Sequence, residues 1–192
     1  MSKLLVVQGH PDAENAHYCH AIAEAYISGA VAGGHDIRQI NIGELNVPFL
    51  RSQAESDSPD PAQFVTNGQN EIEWAEHIVF VYPLWLGTMP ALLKAWLEQV
   101  LRSNFAFKVE GKGWKSHLWG RSAHIVITMG MPSIAFRWFF LAHSLKSFER
   151  NILKFCGIKP VRHTLIGSIS TMDDRARKKW LLRLEKLGRQ AR

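Results

Sequence analysis

Short apolar runs separated by amphipathic stretches recur along this chain. Lys3 to Gln8 is β-branched and Leu-rich, which predicts a buried parallel strand. Ala16 to Ala32 then carries helical spacing, with Cys19, Ile22, Ala23, Tyr26 and Ile27 on one face. Gly33-Gly34 stops that helix, and His35 to Ile42 alternates as a second strand. Leu45 to Pro59, rich in Pro, Ser and Asp, predicts an irregular excursion. Asp60-Pro61 opens a helix running towards Trp74. His77 to Tyr82 is a third strand, Pro90 to Arg102 a helix, and Asn104 to Gly120 a non-periodic insertion rich in Gly and aromatics. Ser122 to Thr128 is a fourth strand, Ile134 to Phe155 a helix stopped by Cys156-Gly157, and Val161 to Ile169 a fifth strand. Thr171 to Gln190 closes the chain as an amphipathic helix, with Thr171-Met172-Asp173-Asp174 resembling a capping box. Five strands alternating with helices predict one α/β domain over residues 1–192. Its form is a doubly wound parallel sheet with right-handed crossovers and helices on both faces.

Charge narrows the partners. The formal net charge is +6, and much of it falls in Arg175, Arg177, Lys178, Lys179, Arg183, Lys186, Arg189 and Arg192. These form a solvated helix face with no accompanying reading element or stacking platform, so no nucleic-acid partner is expected. No stretch of about 18 apolar residues free of charge is present, so no membrane insertion is expected. The apolar run after Met1-Ser2-Lys3 is too short for a signal peptide. Cys19 and Cys156 are too few for a disulfide framework, which points to the reducing cytoplasm.

Candidate chemistry lies in three turns, each following a strand. The run from Tyr82 to Trp96, with Pro83, Trp85 and Pro90, is a rigid aromatic turn at a strand's carboxyl end, where open α/β sheets bind flat ligands. Gly9 to His17 feeds a helix N-terminus and so offers backbone N–H groups to an anion, but it is neither GxGxxG nor a Walker sequence. Thr128-Met129-Gly130 brings a hydroxyl, amides and a glycine to a third strand end. Each turn taken alone reads equally as ordinary structure; their coincidence is what one cofactor at a sheet edge requires. His10, His17, Cys19 and His20 suggest metal ligands, yet Cys19 belongs to the core face of its helix, and no metal is expected. There is no GxSxG elbow and carboxylates near the turns are limited to Asp12 and Glu14, so the chemistry falls to a bound cofactor.

Gly9-His10-Pro11, Tyr82-Pro83-Leu84-Trp85 with Pro90 to Trp96, Asn104 to Phe107 and Thr128-Met129-Gly130 together resemble the NAD(P)H:quinone oxidoreductases of flavodoxin-like fold. The resemblance implies a five-stranded sheet of order 2-1-3-4-5, a non-covalent flavin (FAD, with FMN as the alternative) and ping-pong hydride transfer from NAD(P)H to a quinone or similar acceptor. It also implies a homodimer with its sites at the interface. By position, His10, Asn15, Ala16 and His17 surround the flavin phosphates, and Pro83, Leu84, Trp85 and Leu86 lie against the ring. Thr128, Met129 and Gly130 meet its pyrimidine edge, and Phe105 and Phe107 wall the partner's substrate pocket. The chain departs from the family pattern in Asn15-Ala16-His17, Leu86 and Met131. Phe136 stands where a proton-relaying Tyr is usual, with His143 close to the relay His. A second reading is a flavin-binding ancillary subunit of a potassium-efflux system, docking through Phe136-Arg137-Trp138-Phe139-Phe140. An electron carrier of flavodoxin type is a third, against which the basic balance argues.

Overall fold

The computed structural model describes residues 1–111 and 113–191; Lys112 of the insertion and Arg192 of the basic stretch lie outside them. Five parallel strands form one sheet: β1 (Lys3–Gln8), β2 (Asp36–Asn41), β3 (His77–Pro83) and, from further along the chain, Ser122–Thr128 and Val161–Ile166. Between β3 and the latter pair lies an antiparallel hairpin, β4 (Phe107–Glu110) with β5 (Gly113–Ser116), so the last two sheet strands are β6 and β7. The sheet order is β2-β1-β3-β6-β7. Without the hairpin this is the expected 2-1-3-4-5 order.

Alternation along the strands divides the core into two layers. Leu5, Val7, Ile78, Phe80, Ile125 and Ile127 face one side. There they meet α3 (Gln63–Trp74) and α4 (Ala91–Val100), whose Leu93 and Trp96 are fully buried. Leu4, Val6, Val79, Val81 and Val126 face the other side, against α1 (Tyr18–Ala32) and α7 (Asp174–Arg189). α1 and α7 approach until their backbones touch. A Cβ on Gly29 would lie 1.8 Å from the Glu185 carbonyl oxygen, and one on Gly188 would lie 2.0 Å from that of Tyr26. Glycine is required at both positions by close approach alone.

Several boundaries differ from the sequence expectation, each for a local reason. The insertion contains the β4–β5 hairpin, whose four-residue strands are too short to impose a visible period. The excursion before α3 holds a 3-10 turn at Ile42–Glu44 and one helical turn, α2 (Gln53–Ser56), capped by Ser52. α3 begins after Ala62 rather than at Asp60-Pro61. The long helix expected from Ile134 to Phe155 is broken into α5 (Ser133–Trp138), α6 (His143–Ser147) and a π-helical stretch, Phe148–Lys154. Left-handed backbone at Leu141 (φ 52°) and Ala142 (φ 47°) makes the break, at residues whose types give no warning of it. β7 ends at Ile166, and Asp173 rather than Thr171 caps α7, accepting from Ala176 N at 2.7 Å.

Among the described residues, no helix is long and apolar enough to cross a membrane. Gly29→Ala is expected to destabilise the protein by about 3 kcal/mol, the upper range for overpacking, because the new methyl meets backbone. Urea unfolding checks this as a lower midpoint at unchanged slope.

Candidate functional site

Parallel pairing brings the carboxyl ends of the strands to one edge. Gln8 pairs with Val81, and Pro83 with Thr128. The chain leaves β1 for β2 on one side and reaches β3 on the other, so the turns after β1 and β3 flank the reversal point of an open sheet, where ligand crevices form.

The first turn is held together by its own side chains. Gly9 N donates to Val81 O at 2.7 Å, and a Cβ there would lie 2.7 Å from Leu93 Cδ2, so a larger residue would have to displace that side chain. His10 N donates to Gln8 Oε1, while Gln8 Nε2 is buried without a partner. Asp12 Oδ1 accepts from the N–H groups of Glu14 and Asn15 at 3.0 and 3.1 Å. Its Oδ2 accepts from Asn15 Nδ2 at 2.9 Å and faces His17 Nε2 at 2.8 Å. These bonds, His17's foremost, hold the Asp12 carboxyl far below the usual carboxylate range. The His10 and His17 rings stack with centroids 3.8 Å apart, and His20 lies 5.6 and 5.7 Å from them. Burial, then the nearness of His17, lowers the His10 pKa below its ordinary value. Asn15 and Ala16 stand exposed beyond this cluster, and the first turn of α1 carries no acidic residue. A helix N-terminus with three imidazoles beside it suits an anion.

The second turn is a two-residue hairpin. Trp85 N donates to Thr88 O at 2.8 Å and Thr88 N returns to Trp85 O at 3.0 Å. Leu86 (φ 44°) and Gly87 (φ 81°) are both left-handed, the geometry of a type I′ turn. A branched residue in that region is strained by about 1–2 kcal/mol, and the Leu86 side chain is fully exposed, with no packing to offset it. Trp85, half exposed, meets the edge of His10 at 5.5 Å and so joins the second turn to the first. Leu84 N donates to Thr128 O at 2.7 Å, joining it to the third.

In the third turn, Thr128 departs from its expected use. Its hydroxyl lies 3.1 Å from Cys19 Sγ, inside the α1 layer, and does not reach the rim. The same burial pushes the Cys19 thiol up to about 11 and leaves it inert. Met129 is also buried; Gly130 is the exposed residue of the three. A Cβ on Gly130 would meet only Ser170 Oγ, at 3.6 Å. Among the described residues, no three His, Cys, Asp or Glu side chains are placed to hold a metal ion.

Two cavities flank the second turn. One, of about 490 Å³, is lined by Trp85, Leu86, Met89, Lys94, Ser144 and Phe148. The other, of about 400 Å³, brings Phe136 and His143 together with Leu84, Leu86, Met131 and Phe140. Phe105 and Phe107 lie elsewhere within a single chain. Phe105 lines a separate cavity beside Arg102, and Phe107 packs edge-on against Phe155 at 4.9 Å. Sequence reasoning missed the organising role of Asp12 and the presence of Ser144 in both cavities. The spacing of Asp12 to Asn15, an Asx-turn pattern, was a signal for the first; none existed for the second. The exposed turn tips, the glycine cradle and the unpaired Gln8 amide at the rim fit a flat ligand carrying an anionic tail, as a flavin mononucleotide does.

A family model described as a flavodoxin-like fold matches residues 2–187. A protein of Haemophilus influenzae named as an uncharacterized NAD(P)H oxidoreductase is 29% identical over 178 residues, covering 91% of this chain and 88% of that one. An FMN-dependent NADH:quinone oxidoreductase of Colwellia psychrerythraea is 34% identical over 92 residues, which is 48% of this chain and 46% of that relative. Among solved structures, the NAD(P)H:quinone oxidoreductase of Methanothermobacter marburgensis superposes with a TM-score of 0.83 at 23% identity, covering 98% of this chain and 96% of that one.

Because its folded pKa is depressed, Asp12 stabilises the native state above the ordinary carboxylate pKa and loses that contribution as pH falls towards its folded value. The stability difference between wild type and Asp12→Asn is therefore expected to be largest above pH ~5 and to shrink below pH ~4. Thermal melts across that range check the sign.

Proposed function

The chain belongs to the family of flavodoxin-like fold, and on that footing we propose that it is a flavin-dependent NAD(P)H oxidoreductase acting on quinones or similar two-electron acceptors. The observation that carries the reading is the direct linkage of three strand-end turns: Leu84 N to Thr128 O, and Trp85 against His10. FMN is the cofactor in this reading. The Colwellia relative is named for FMN, and the FAD favoured from the sequence resemblance has no such support. When bound, FMN supplies two-electron transfer from NAD(P)H to the acceptor.

The chain's own residues bind and orient. His10, Asn15, Ala16 and His17 hold the phosphate at the α1 N-terminus. Pro83, Leu84, Trp85 and Leu86 form the wall against the ring, and Gly130, beside Thr128 and Met129, lets the pyrimidine edge approach backbone. Phe136 and Leu84 keep the acceptor cavity apolar and exclude water. His143, the one titratable side chain lining that cavity, delivers a proton to the reduced acceptor's oxygen. Ile134, Trp138, Phe139, Phe140 and Leu141 are all exposed and contiguous in sequence with this cavity. Such a patch is seldom left bare, which supports a homodimer in which Phe105 and Phe107 of one copy complete the partner's pocket. Docking on a potassium-efflux system draws on the same patch, with nothing further in its favour. Two free, buried cysteines accord with a cytoplasmic location.

Purified protein is expected to be yellow, to bleach with NADH or NADPH and to recover its colour with menadione; chromatography of the released flavin should give FMN. Absence of flavin after reconstitution would falsify the reading. Gly130→Val places bulk where the fold has room, so flavin affinity should fall at least about tenfold with the melting temperature unchanged; equal retention would move the ring elsewhere. Light scattering is expected to give twice the 21.8 kDa chain mass, and a monomer would remove the shared pocket.

A further inference from the structure

The apolar cavity beside His143 contains one feature its chemistry does not explain. Ser144 lines both that cavity and the larger one across Leu86, yet its Oγ is withdrawn from solvent and has no hydrogen-bond partner. Buried hydroxyls are almost always paired, and an unpaired one carries a desolvation cost. A serine in a helix ordinarily returns its hydroxyl to the carbonyl four residues back. Here that carbonyl belongs to Phe140, beyond the left-handed break at Leu141 and Ala142, and it accepts instead from His143 N at 3.3 Å. The break therefore strips Ser144 of its local partner and leaves its hydroxyl at the partition between two cavities walled by Leu84, Met131, Phe136 and Phe148. A rotation about χ1 turns the hydroxyl towards either cavity.

We infer that Ser144 is the acceptor-orienting residue, donating its O–H to one carbonyl oxygen of a planar quinone-type acceptor held in this cleft. The inference rests on the oxidoreductase reading above and names the polar contact that positions its substrate. An apolar slot with a single waiting hydroxyl selects a flat, mostly hydrocarbon molecule bearing an oxygen acceptor and disfavours one without it.

The test uses the oxidised, flavin-loaded protein, in which menadione binds without turnover, followed by tryptophan fluorescence. Ser144→Ala is expected to weaken menadione binding about fivefold, the size of one neutral hydrogen bond. It should leave 2-methylnaphthalene, which lacks the oxygens, unaffected. Ser144→Thr should restore menadione binding. Equal weakening of both ligands means that Ser144 only packs, and unchanged menadione binding means that it makes no contact; either result overturns the inference. A wild-type chain that takes up no flavin defeats the parent reading. A flavin-loaded chain that reduces menadione, but whose Ala variant binds it normally, defeats this inference alone.

Discussion

The hydrogen bond from Leu84 N to Thr128 O, 2.7 Å long, is the constraint on which the rest of the site depends. Pro83 pairs in register with Thr128, and Leu84 N supplies the donor that closes this last parallel pair. The β3–β6 ladder ends there, and the tight turn that follows is pinned to the third strand end. Trp85 leaves that turn at an angle fixed by the cross-turn pair with Thr88 and reaches the imidazole of His10. Three turns separated by more than a hundred positions along the chain thus share one rim because strand register places them there.

Electrostatics and packing at this rim act in different directions. Asp12 is a carboxylate in a turn read as anion-binding, an arrangement that only makes sense because its oxygens are consumed internally by Glu14, Asn15 and His17. What the turn presents outward is then amide, imidazole and helix dipole, all favourable to negative charge. On the opposite side of the second turn the environment is hydrocarbon with a single histidine and a single buried hydroxyl. A ligand with an anionic tail and a flat apolar head spans both environments, and neither suffices alone.

Among the described residues, three of the six non-glycine positions with positive φ lie beside these boundaries. Leu86 occupies left-handed backbone with its side chain in solvent, and Leu141 and Ala142 do so between α5 and α6. Leu86 lines both cavities, and Leu141 and Ala142 lie in sequence between Phe140 and His143, which line the smaller one. The sheet strands and the α1–α7 contact show no such positions: the strands alternate cleanly, and the contact is resolved by Gly29 and Gly188 without positive φ. At Leu86 the backbone is held by the cross-turn pair of Trp85 with Thr88 rather than by side-chain packing.

The five strands, the helices on both faces and the three candidate turns were legible in the chain itself, since apolar period and turn residues are local properties; the sheet order was implied by the family resemblance alone. Hydrophobic alternation sets which face of a strand is buried, and glycine and proline set where a strand must end. Other features were not legible because they arise from pairs distant in sequence. The Thr128 hydroxyl goes to Cys19 rather than to the rim, a choice made by α1 packing on β6. The β4–β5 hairpin is stabilised by docking, with Trp114 stacked on Phe155 at 5.2 Å, rather than by its four-residue strands. The break at Leu141–Ala142 divides into two short helices a stretch whose composition supports one long helix. Local sequence decided which elements exist and which faces they bury. Tertiary packing alone decided where each polar group points, because a hydrogen bond or a clash depends on the partner's position in space.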